Sequence, residues 1–299
     1  MCFRRYDDAD DGADDGAGDD DAGDDDAGDE TEIELPRGDV TEGVVRVGST
    51  VHRPHQPGSP AVVAYLDHFE RVGFAGAPRF LGRDRRGRDV LTFLDGAIAG
   101  DPVEPWAAAD DLLAGVGALL RRLHDASEPW AVLAGLAFGR DLRGGSPLQL
   151  PAGPRLVSHN DVTPQNVVVR GGVAVGLIDF DLAGWTTRLV DLANTGMHWL
   201  PLSDPVDRDP AYGGADIPRR LRLLVDGYGL DRDGRAALLD AFAVRLSRLY
   251  DRMHWNAENV GGGWARMWRA GVGEKIRRRE SWFASQRPAL EAALRRPTG

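Results

Sequence analysis

Short runs of β-branched residues broken by glycine mark the chain after residue 32. The segment GVVRVGSTVHRP, residues 43–54, predicts a tight β-hairpin. Three valines before Gly48 form the predicted first strand, residues 48–50 form the turn and residues 51–53 form the second strand. Strand alternation places the side chain of residue 53 on the same face as that of residue 51.

A helical repeat follows this hairpin. In SPAVVAYLDHFERVG, apolar residues recur at positions 62, 66, 69 and 72, which lie on one face of an α-helix. Ser59 is the predicted N-cap and Gly73 the predicted stop. The segments APRFLGRD and DVLTFLDG then predict two more strands. Residues 33–95 are therefore predicted to form a small sheet that carries one helix.

From residue 96 onward the pattern is mainly helical. Residues 107–127, AAADDLLAGVGALLRRLHDAS, predict one helix, and three helix-like segments follow at 217–229, 232–258 and 264–295. A β-rich N-lobe of residues 33–95 and a mainly helical C-lobe of residues 96–299 predict an α+β, two-lobed fold with a cleft between the lobes.

Polar residues gather where two short apolar runs meet. The loop SHNDVTPQN precedes the segment VVVRGGVAVGLIDFD, residues 167–181, whose Gly-Gly pair suits a two-residue hairpin turn. If the turn centres there, residue 166 faces 177 and residue 164 faces 179. Asn166 and Asp179 then lie at the same end of the hairpin, with Asp161 just before it.

This convergence has a simple and a chemical interpretation. Asn, Asp, Thr and Pro all favour turns, so the loop by itself needs no function. Asn and Asp oxygens at one point, however, are the hard ligands that Mg²⁺ prefers. A carboxylate outside the metal site can orient a hydroxyl, and the spacing Asp161-x-x-x-x-Asn166 is that of the phosphoryl-transfer site of protein kinases.

The motifs SHNDVTPQNVVV, GLIDFDLAG and RLVDLAN resemble those of the aminoglycoside phosphotransferase family. This family is the small-molecule branch of the protein-kinase-like fold and includes choline kinases. The resemblance covers residues 33–299 and implies a protein-kinase-like fold. It also implies that Asp161 is the catalytic base, that His159 braces the catalytic loop, and that Asn166 and Asp179 bind Mg²⁺.

Further roles follow from the same resemblance. Asp181 is either a second metal ligand or a turn acid, and Asp191 matches an acid that anchors backbone amides. ATP or GTP is the implied co-substrate, and we expect it to contact Arg53, Phe93 and Leu94 in the N-lobe.

The N-lobe departs from the protein-kinase pattern in three places. The segment LPRGDVTEGVVRVG contains no G-x-G-x-x-G. The strand that should carry a lysine carries Arg53, and Lys275 is the only lysine of the chain. Arg46 is the other cation on the hairpin. The helix acid that should pair with Arg53 is either Asp67 or Glu70.

Composition changes the picture at the N-terminus. The chain has a formal net charge of −11, but residues 7–32 hold 15 of its 47 acidic residues. Without residues 1–32 the chain has 32 acidic and 34 basic residues. Such an Asp/Gly/Ala tract cannot bury apolar surface, so residues 1–32 are predicted to be a disordered acidic tail that stability and turnover do not need.

The rest of the composition bounds the location and partners of the protein. A run of 18 apolar residues is absent, and the N-terminus lacks a secretory signal. Cys2 is the single cysteine, which excludes an intrachain disulfide and suits a reducing cytoplasm. We expect a cytoplasmic monomer or homodimer with no membrane or nucleic-acid partner.

The sequence says little about the acceptor. Aromatic residues crowd the C-lobe: Trp199, Tyr228, Tyr250, Trp255, Trp264, Trp268 and Trp282. They either form a cation-binding cage or pack between helices, and packing is the commoner role. Asp251, Glu258 and Glu274 either bind an amine or lie on solvated helix faces.

The sequence favours an ATP- or GTP-dependent phosphotransferase that acts on a hydroxyl of a small molecule. That molecule is an aminoglycoside-like antibiotic, an amino alcohol or a sugar-like metabolite. One alternative is a degenerate pseudokinase that binds nucleotide and only regulates. The other is a metal-dependent hydrolase, active without nucleotide, with one histidine and three acids as ligands: His159, Asp161, Asp179 and Asp181.

Overall fold

Five short antiparallel strands form the sheet of the N-terminal part. The computed structural model of the protein describes residues 31–35, 43–100, 102–128, 136–138 and 154–295. The strands are β1 (Ile33–Glu34), β2 (Val45–Val47), β3 (Thr50–Arg53), β4 (Phe80–Arg83) and β5 (Asp89–Thr92). Their order across the sheet is β1-β2-β3-β5-β4. The four strands predicted between residues 43 and 95 are all present.

The β2–β3 hairpin sets the orientation of Arg53. Val47 pairs with Thr50, so the turn consists of Gly48 and Ser49 alone and Thr50 belongs to the strand instead of the predicted turn. Gly48 has a φ of 54°, which a two-residue hairpin turn requires and glycine tolerates. Alternation from Thr50 then buries Arg53, as predicted.

Helix α1 (Ser59–Arg71) crosses from the sheet to the helical part. Its N-cap is Gly58, and the Ser59 hydroxyl accepts a hydrogen bond from the Gln56 N–H, so Ser59 is not the cap that the sequence predicted. Pro60 in the first turn lacks an N–H and so needs no cap. The helix ends just before Gly73, which has a φ of 74°, as predicted.

Two side chains of α1 are bonded to the helical part. The Tyr65 hydroxyl donates to Val157 O (2.9 Å) and lies 2.5 Å from Ser127 Oγ. His68 Nε2 lies 2.8 Å from Ala126 O. Tyr65 is fully buried. We call these contacts the Tyr65 bridge.

Seven α-helices build the helical part within the described residues. They are α2 (Asp110–Ser127), α3 (Arg188–Trp199), α4 (Ile217–Tyr228), α5 (Arg232–Ser247), α6 (Leu249–Asn259), α7 (Gly262–Arg269) and α8 (Val272–Arg295). The predictions of unbroken helices over 232–258 and 264–295 were wrong. The first breaks at Arg248, and the second breaks at Gly271, whose φ of 88° cannot continue a helix.

Helices α2 and α4 cross in close contact at two glycines. A Cβ on Gly227 would lie 2.1 Å from Ala114 O, and one on Gly117 would lie 2.4 Å from Leu224 O. Only glycine, whose side chain is a single hydrogen atom, fits at these two positions. The helices bury Leu113, Val116, Leu120, Leu221 and Leu224 around it.

Two short strand pairs carry the polar loop found in the sequence. Strand β6 (Leu156–Ser158) pairs with β9 (Gly184–Thr186), and β7 (Val167–Arg170) pairs with β8 (Val173–Leu177). The β7–β8 register shifts by one between Val168 and Val169, because Val175 is an extra residue. The predicted facing pairs are therefore wrong by one position, and Ile178 N donates to Asn166 O.

The described residues include only part of the predicted acidic tail and of the predicted N-lobe. Glu32, which the sequence assigned to the tail, pairs with Arg88 (2.7 Å) and Arg86 (3.0 Å). The rest of the tail, except Thr31, and residues 36–42 lie outside the described residues. A boundary near residue 95 stays a prediction. None of the described helices is long and apolar enough to cross a membrane.

Candidate active site

The polar loop leaves β6 through a strained residue. Asn160 has a φ of 62°, and its side-chain Nδ2 donates to Ser158 O (3.1 Å) and to Gly184 O (3.0 Å). These bonds hold the left-handed turn between β6 and β9. Few non-glycine residues adopt this conformation, and those that do cluster at functional sites. The sequence analysis did not single out Asn160.

His159 holds two backbone segments together. The Asp161 N–H donates to His159 Nδ1 (3.2 Å), so the ring proton is on Nε2, which donates to Ile178 O (2.9 Å). The ring is fully buried against Phe180, and burial lowers the pKa of His159, so it is neutral. Both nitrogens are engaged, which is the geometry expected of the predicted brace.

Asn166 fixes the position of Asp161. Its Nδ2 donates both to Asp161 O and to Asp161 Oδ2, each at 2.9 Å. Burial raises the pKa of Asp161 above its usual range, and the nearby Asp179 carboxylate raises it further. The two hydrogen bonds use one carboxylate oxygen and the amide nitrogen. Asp161 Oδ1 and the side-chain oxygen of Asn166, Oδ1, take part in neither of these two bonds and can accept a ligand.

Asp179 follows β8 in a left-handed conformation, with φ 61° and ψ 70°. The bond from Ile178 N to Asn166 O (2.9 Å) keeps this strand end beside Asn166, so the predicted convergence is present despite the shifted register. Asp179 and Asp181 flank Phe180, which is buried against His159, Tyr65 and Phe69.

Arg53 reaches this acidic pair from β3. Its Nη2 lies 2.5 Å from Asp181 Oδ1, and its Nη1 lies 3.8 Å from Asp179 Oδ1. Among the described residues these are its ion pairs. Glu70 pairs with Arg79 instead, and Asp67 has no ion pair in that part of the chain. Neither helix acid is therefore the partner of Arg53.

The other predicted N-lobe residues are elsewhere. Phe93 and Leu94 follow β5, on the connection to the helical part. The Phe93 N–H donates to Ser49 O (2.8 Å), and the Arg46 guanidinium lies 3.8 Å above the Phe93 ring. Arg46 also donates to Gly48 O in its own hairpin. These residues do not join the cluster around Asp161, and contact with a nucleotide stays a prediction.

Asp191 lies beneath the loop in the first turn of α3. It is fully buried, and its Oδ2 accepts from Ser158 Oγ (2.6 Å) and contacts His124 Nε2 (3.1 Å). Burial alone would raise its pKa, but the hydrogen bonds from His124 and Ser158 hold the pKa of Asp191 below its usual range. Within the described residues its carboxylate partners are side chains, not the backbone amides that the family resemblance implied.

The donor chemistry fits a magnesium ion. Asn166 and Asp179 offer only oxygen ligands, which is the ligand set that Mg²⁺ prefers. The orientation of the Asn166 amide leaves its oxygen, and not its nitrogen, for such an ion. By contrast, no group of three His, Cys, Asp or Glu side chains in the described residues is placed to hold a metal. That finding does not favour the hydrolase ligand set.

The aromatic residues of the helical part pack against neighbours. Trp199 is buried, Tyr228 is buried against His124, and Arg277 already covers the face of Tyr250 at 4.3 Å. The three candidate amine-binding acids are exposed: Asp251, Glu258 and Glu274. Packing therefore accounts for these three aromatic residues, whereas Trp255 is exposed.

Comparison with known proteins places this site in a family. Residues 146–255, which include the loop and the β7–β8 hairpin, match the model of the phosphotransferase enzyme family. The trifolitoxin immunity protein of Rhizobium leguminosarum bv. trifolii is 33% identical over 275 residues, which is 88% of this chain and 98% of that protein.

Solved structures share the fold. A choline/ethanolamine kinase family protein from Mesorhizobium loti aligns with a TM-score of 0.57 at 18% identity, over 89% of this chain and 92% of that one. An amicoumacin kinase in complex with AMP-PNP and Ca²⁺ aligns with a TM-score of 0.53 at 13% identity. The alignment covers 85% of this chain and 88% of that kinase. The match to the family model and the similarity to a relative over most of both chains show that the chain belongs to the phosphotransferase enzyme family. It is a kinase-like phosphotransferase that acts on alcohol groups.

Proposed function

We propose that the protein transfers the terminal phosphate of ATP or GTP to a hydroxyl of a small molecule, with Mg²⁺. The observation that carries this proposal is the double hydrogen bond from Asn166 to Asp161. It orients a carboxylate and an amide oxygen for two different ligands at one point. Phosphoryl transfer needs two such groups, one carboxylate that contacts the acceptor hydroxyl and one oxygen ligand that contacts the metal ion.

The acceptor end of the reaction belongs to Asp161. Its available carboxylate oxygen accepts the proton of the acceptor hydroxyl as the new oxygen–phosphorus bond forms. The bond between the terminal phosphorus and the bridging oxygen breaks, and the nucleoside diphosphate leaves with that oxygen. The raised pKa of Asp161 suits a group that gains a proton in the reaction. His159 and Asn166 act as positioning residues for this carboxylate.

The nucleotide end belongs to Asn166, Asp179 and Arg53. Asn166 and Asp179 would hold Mg²⁺, which neutralises phosphate charge when it is bound. Asp181 is ion-paired with Arg53, so we assign it to placing that arginine and not to the first metal ligand set. The planar guanidinium of Arg53 lies beside Asp179 and Asp181. In this proposal it binds phosphate, which is the role that a lysine has in protein kinases.

A nucleotide-consumption screen tests the proposal. The purified chain is mixed with ATP or GTP, with and without Mg²⁺, and with aminoglycosides, macrolides, choline-like alcohols, sugars and hydroxy acids. We expect acceptor-dependent, Mg²⁺-dependent diphosphate release, with a matching mass gain on the acceptor. Nucleotide binding without transfer to any acceptor would support the pseudokinase alternative. Metal-dependent hydrolysis without nucleotide would support the hydrolase.

The similarity to a trifolitoxin immunity protein supports an antibiotic as one class of acceptor. Modification of an antibiotic hydroxyl would protect the cell that makes the enzyme. We place this activity in the cytoplasm, where nucleotide and Mg²⁺ are abundant, in keeping with the single cysteine of the chain.

A further inference from the structure

Three arginines on three helices are close enough for the charges of two of them to act on the third, and two of the three donate hydrogen bonds to α3. They are Arg245 on α5, Arg252 on α6 and Arg279 on α8, and each is partly buried. In the described part of the chain none of the three forms an ion pair. We call them the arginine cluster.

Neutral groups hold the cluster in place. Arg245 Nε donates to Asn194 Oδ1, and Arg279 donates to Leu202 O (2.8 Å) and Met197 O (2.6 Å). Arg252 Nη1 is buried and has no hydrogen bond to the described residues. These bonds orient the guanidinium groups but neutralise none of their charge.

The cluster is electrostatically costly as it stands. Burial, together with repulsion from Arg252 and Arg279, lowers the pKa of Arg245 to about 10. Burial also lowers the pKa of Arg279 to about 10. Both groups stay charged at neutral pH. Buried charges are normally paired, so an unpaired set is expected where an external anion completes it.

Several other partly buried arginines in the described residues have an acidic partner. Arg235 pairs with Asp226 at 2.5 Å, and Arg88 pairs with Asp84 at 2.6 Å. The arginine cluster is therefore not a general feature of a chain that uses arginine for 35 of its 36 basic residues.

The position of the cluster connects it to the reaction. Asn194, which holds Arg245, is on α3, and the same helix carries Trp199, whose Nε1 donates to Val162 O in the catalytic loop (2.8 Å). Asp161 lies close enough to Arg245 for its charge to act on the guanidinium. Helix α3 therefore links the arginine cluster to the catalytic loop.

We infer that the arginine cluster binds a carboxylate or phosphate group of the acceptor, so the acceptor is an anionic hydroxy compound. This inference rests on the proposed function for its location beside the transfer site. Guanidinium groups from separate helices can donate several hydrogen bonds to one oxyanion. The acids that could bind a polycation, Asp251, Glu258 and Glu274, are exposed, and two of them pair with His254 and Arg277.

Anion binding tests the inference without any catalysis. Melting of the full chain is followed during titration with malonate and, separately, with inorganic phosphate, to distinguish the two anion types. We expect Arg252→Gln to weaken binding of at least one anion about tenfold and Arg252→Lys, which keeps the charge but not the planar donor geometry, to weaken it less. The control Arg269→Gln, an exposed arginine on α7, should bind like the natural chain.

Two results would overturn the inference. One is a natural chain that neither anion stabilises, and the other is an Arg252→Gln variant that responds like Arg269→Gln. Without anion, Arg252→Gln should melt at the same or a higher temperature, because it removes an unpaired buried charge. A merely structural arginine would lower the melting temperature instead.

A matched set of acceptors separates this inference from the proposed function. Glycerol, glycerate, glycerol 3-phosphate and ethanolamine present similar hydroxyls with neutral, anionic or cationic partners. We expect transfer to an anionic member, with a KM about tenfold higher in Arg252→Gln and a nearly unchanged kcat. Preference for a neutral or cationic acceptor would refute the inference and leave the kinase intact. If no acceptor is phosphorylated but the anion response depends on Arg252, the kinase proposal fails alone.

Discussion

Arg53 Nη2 lies 2.5 Å from Asp181 Oδ1, and this contact joins the sheet to the end of β8. A cation on β3 thus reaches the two acids that follow the hairpin, with Asp179 at 3.8 Å. Lys275, the one lysine of the chain, is exposed on α8 and unsuited to this place. These contacts are why we propose Arg53 as the cation that binds the nucleotide.

We predict that Arg53→Ala weakens nucleotide binding by about tenfold or more, because bidentate contacts to phosphate are lost. Arg53→Lys should restore only part, since an ammonium cannot form two parallel hydrogen bonds to one phosphate. Calorimetric titration with ATP and Mg²⁺ measures both. Arg46→Ala is the matched control and should have little effect, because Arg46 donates to Gly48 O in its own hairpin and has no ion pair with Asp179 or Asp181 in the described residues. Unchanged binding in Arg53→Ala would place the phosphate contact elsewhere.

We predict different defects for Asp161→Asn and Asp179→Asn. The first removes the proton acceptor, so transfer should fall by about 10²–10⁴-fold while the nucleotide still binds with Mg²⁺. The second removes a metal ligand, so the gain in nucleotide affinity on adding Mg²⁺ should shrink as well. Titrations with and without Mg²⁺ distinguish them. Equal and full Mg²⁺-dependent binding in both variants would remove Asp179 from the metal site.

We predict that Gly227→Ala lowers the free energy of unfolding by about 1–3 kcal/mol, because the new methyl group meets Ala114 O at the crossing of α2 and α4. Gly115→Ala on α2 is the control. Its Cβ would find its nearest neighbours at 3.8 Å, so the change should be neutral or stabilising by up to about 1 kcal/mol. Urea unfolding of both variants measures this. Equal effects would show that the crossing can relax.

The carboxylate of Asp84 should make stability depend on acid pH. Partial burial opposes ionisation, but hydrogen bonds from His52 and Arg88 hold the pKa of Asp84 well below its usual range. A lowered folded pKa stabilises the fold above the unfolded pKa of about 3.9 and loses this effect as the pH falls further. Asp84→Asn should therefore cost about 1–2 kcal/mol at pH 7 and less at pH 3.

Denaturant unfolding at the two pH values checks this prediction. The control is Asp95→Asn, whose parent side chain is exposed, and it should change stability little at either pH. A penalty for Asp84→Asn that is the same at pH 3 and pH 7 would contradict the assigned role of the charge.

The local pattern of the sequence was enough for the four strands between residues 43 and 95, for α1, for the β7–β8 hairpin and for the meeting of Asn166 with Asp179, but it missed the short strands β1, β6 and β9. It could not show the extra residue Val175, because a bulge changes pairing without changing the apolar pattern. The apolar pattern also predicted one unbroken helix across Arg248 and another across Gly271, where the structure has breaks. Apolar spacing continues over such breaks, and the turn is set by how the helices pack together.

The arginine cluster was invisible for another reason. Arg245, Arg252 and Arg279 belong to three separate helices, and charged residues on helices are ordinarily solvated. Only tertiary packing brings them together and removes them from acids. The nearest signal in the sequence is the spacing of seven between the first two, which is weak because Arg248 ends a helix between them.

The Tyr65 bridge restricts how the cleft can change width. Helix α1 is continuous with the sheet in sequence, yet Tyr65 is anchored at Val157 and Ser127 in the helical part. Swinging the whole N-terminal part about the Phe93–Ala97 connection would break these buried hydrogen bonds. Any change in the distance between Arg53 and the acids after β8 that keeps the Tyr65 bridge intact therefore requires the strands to move relative to α1.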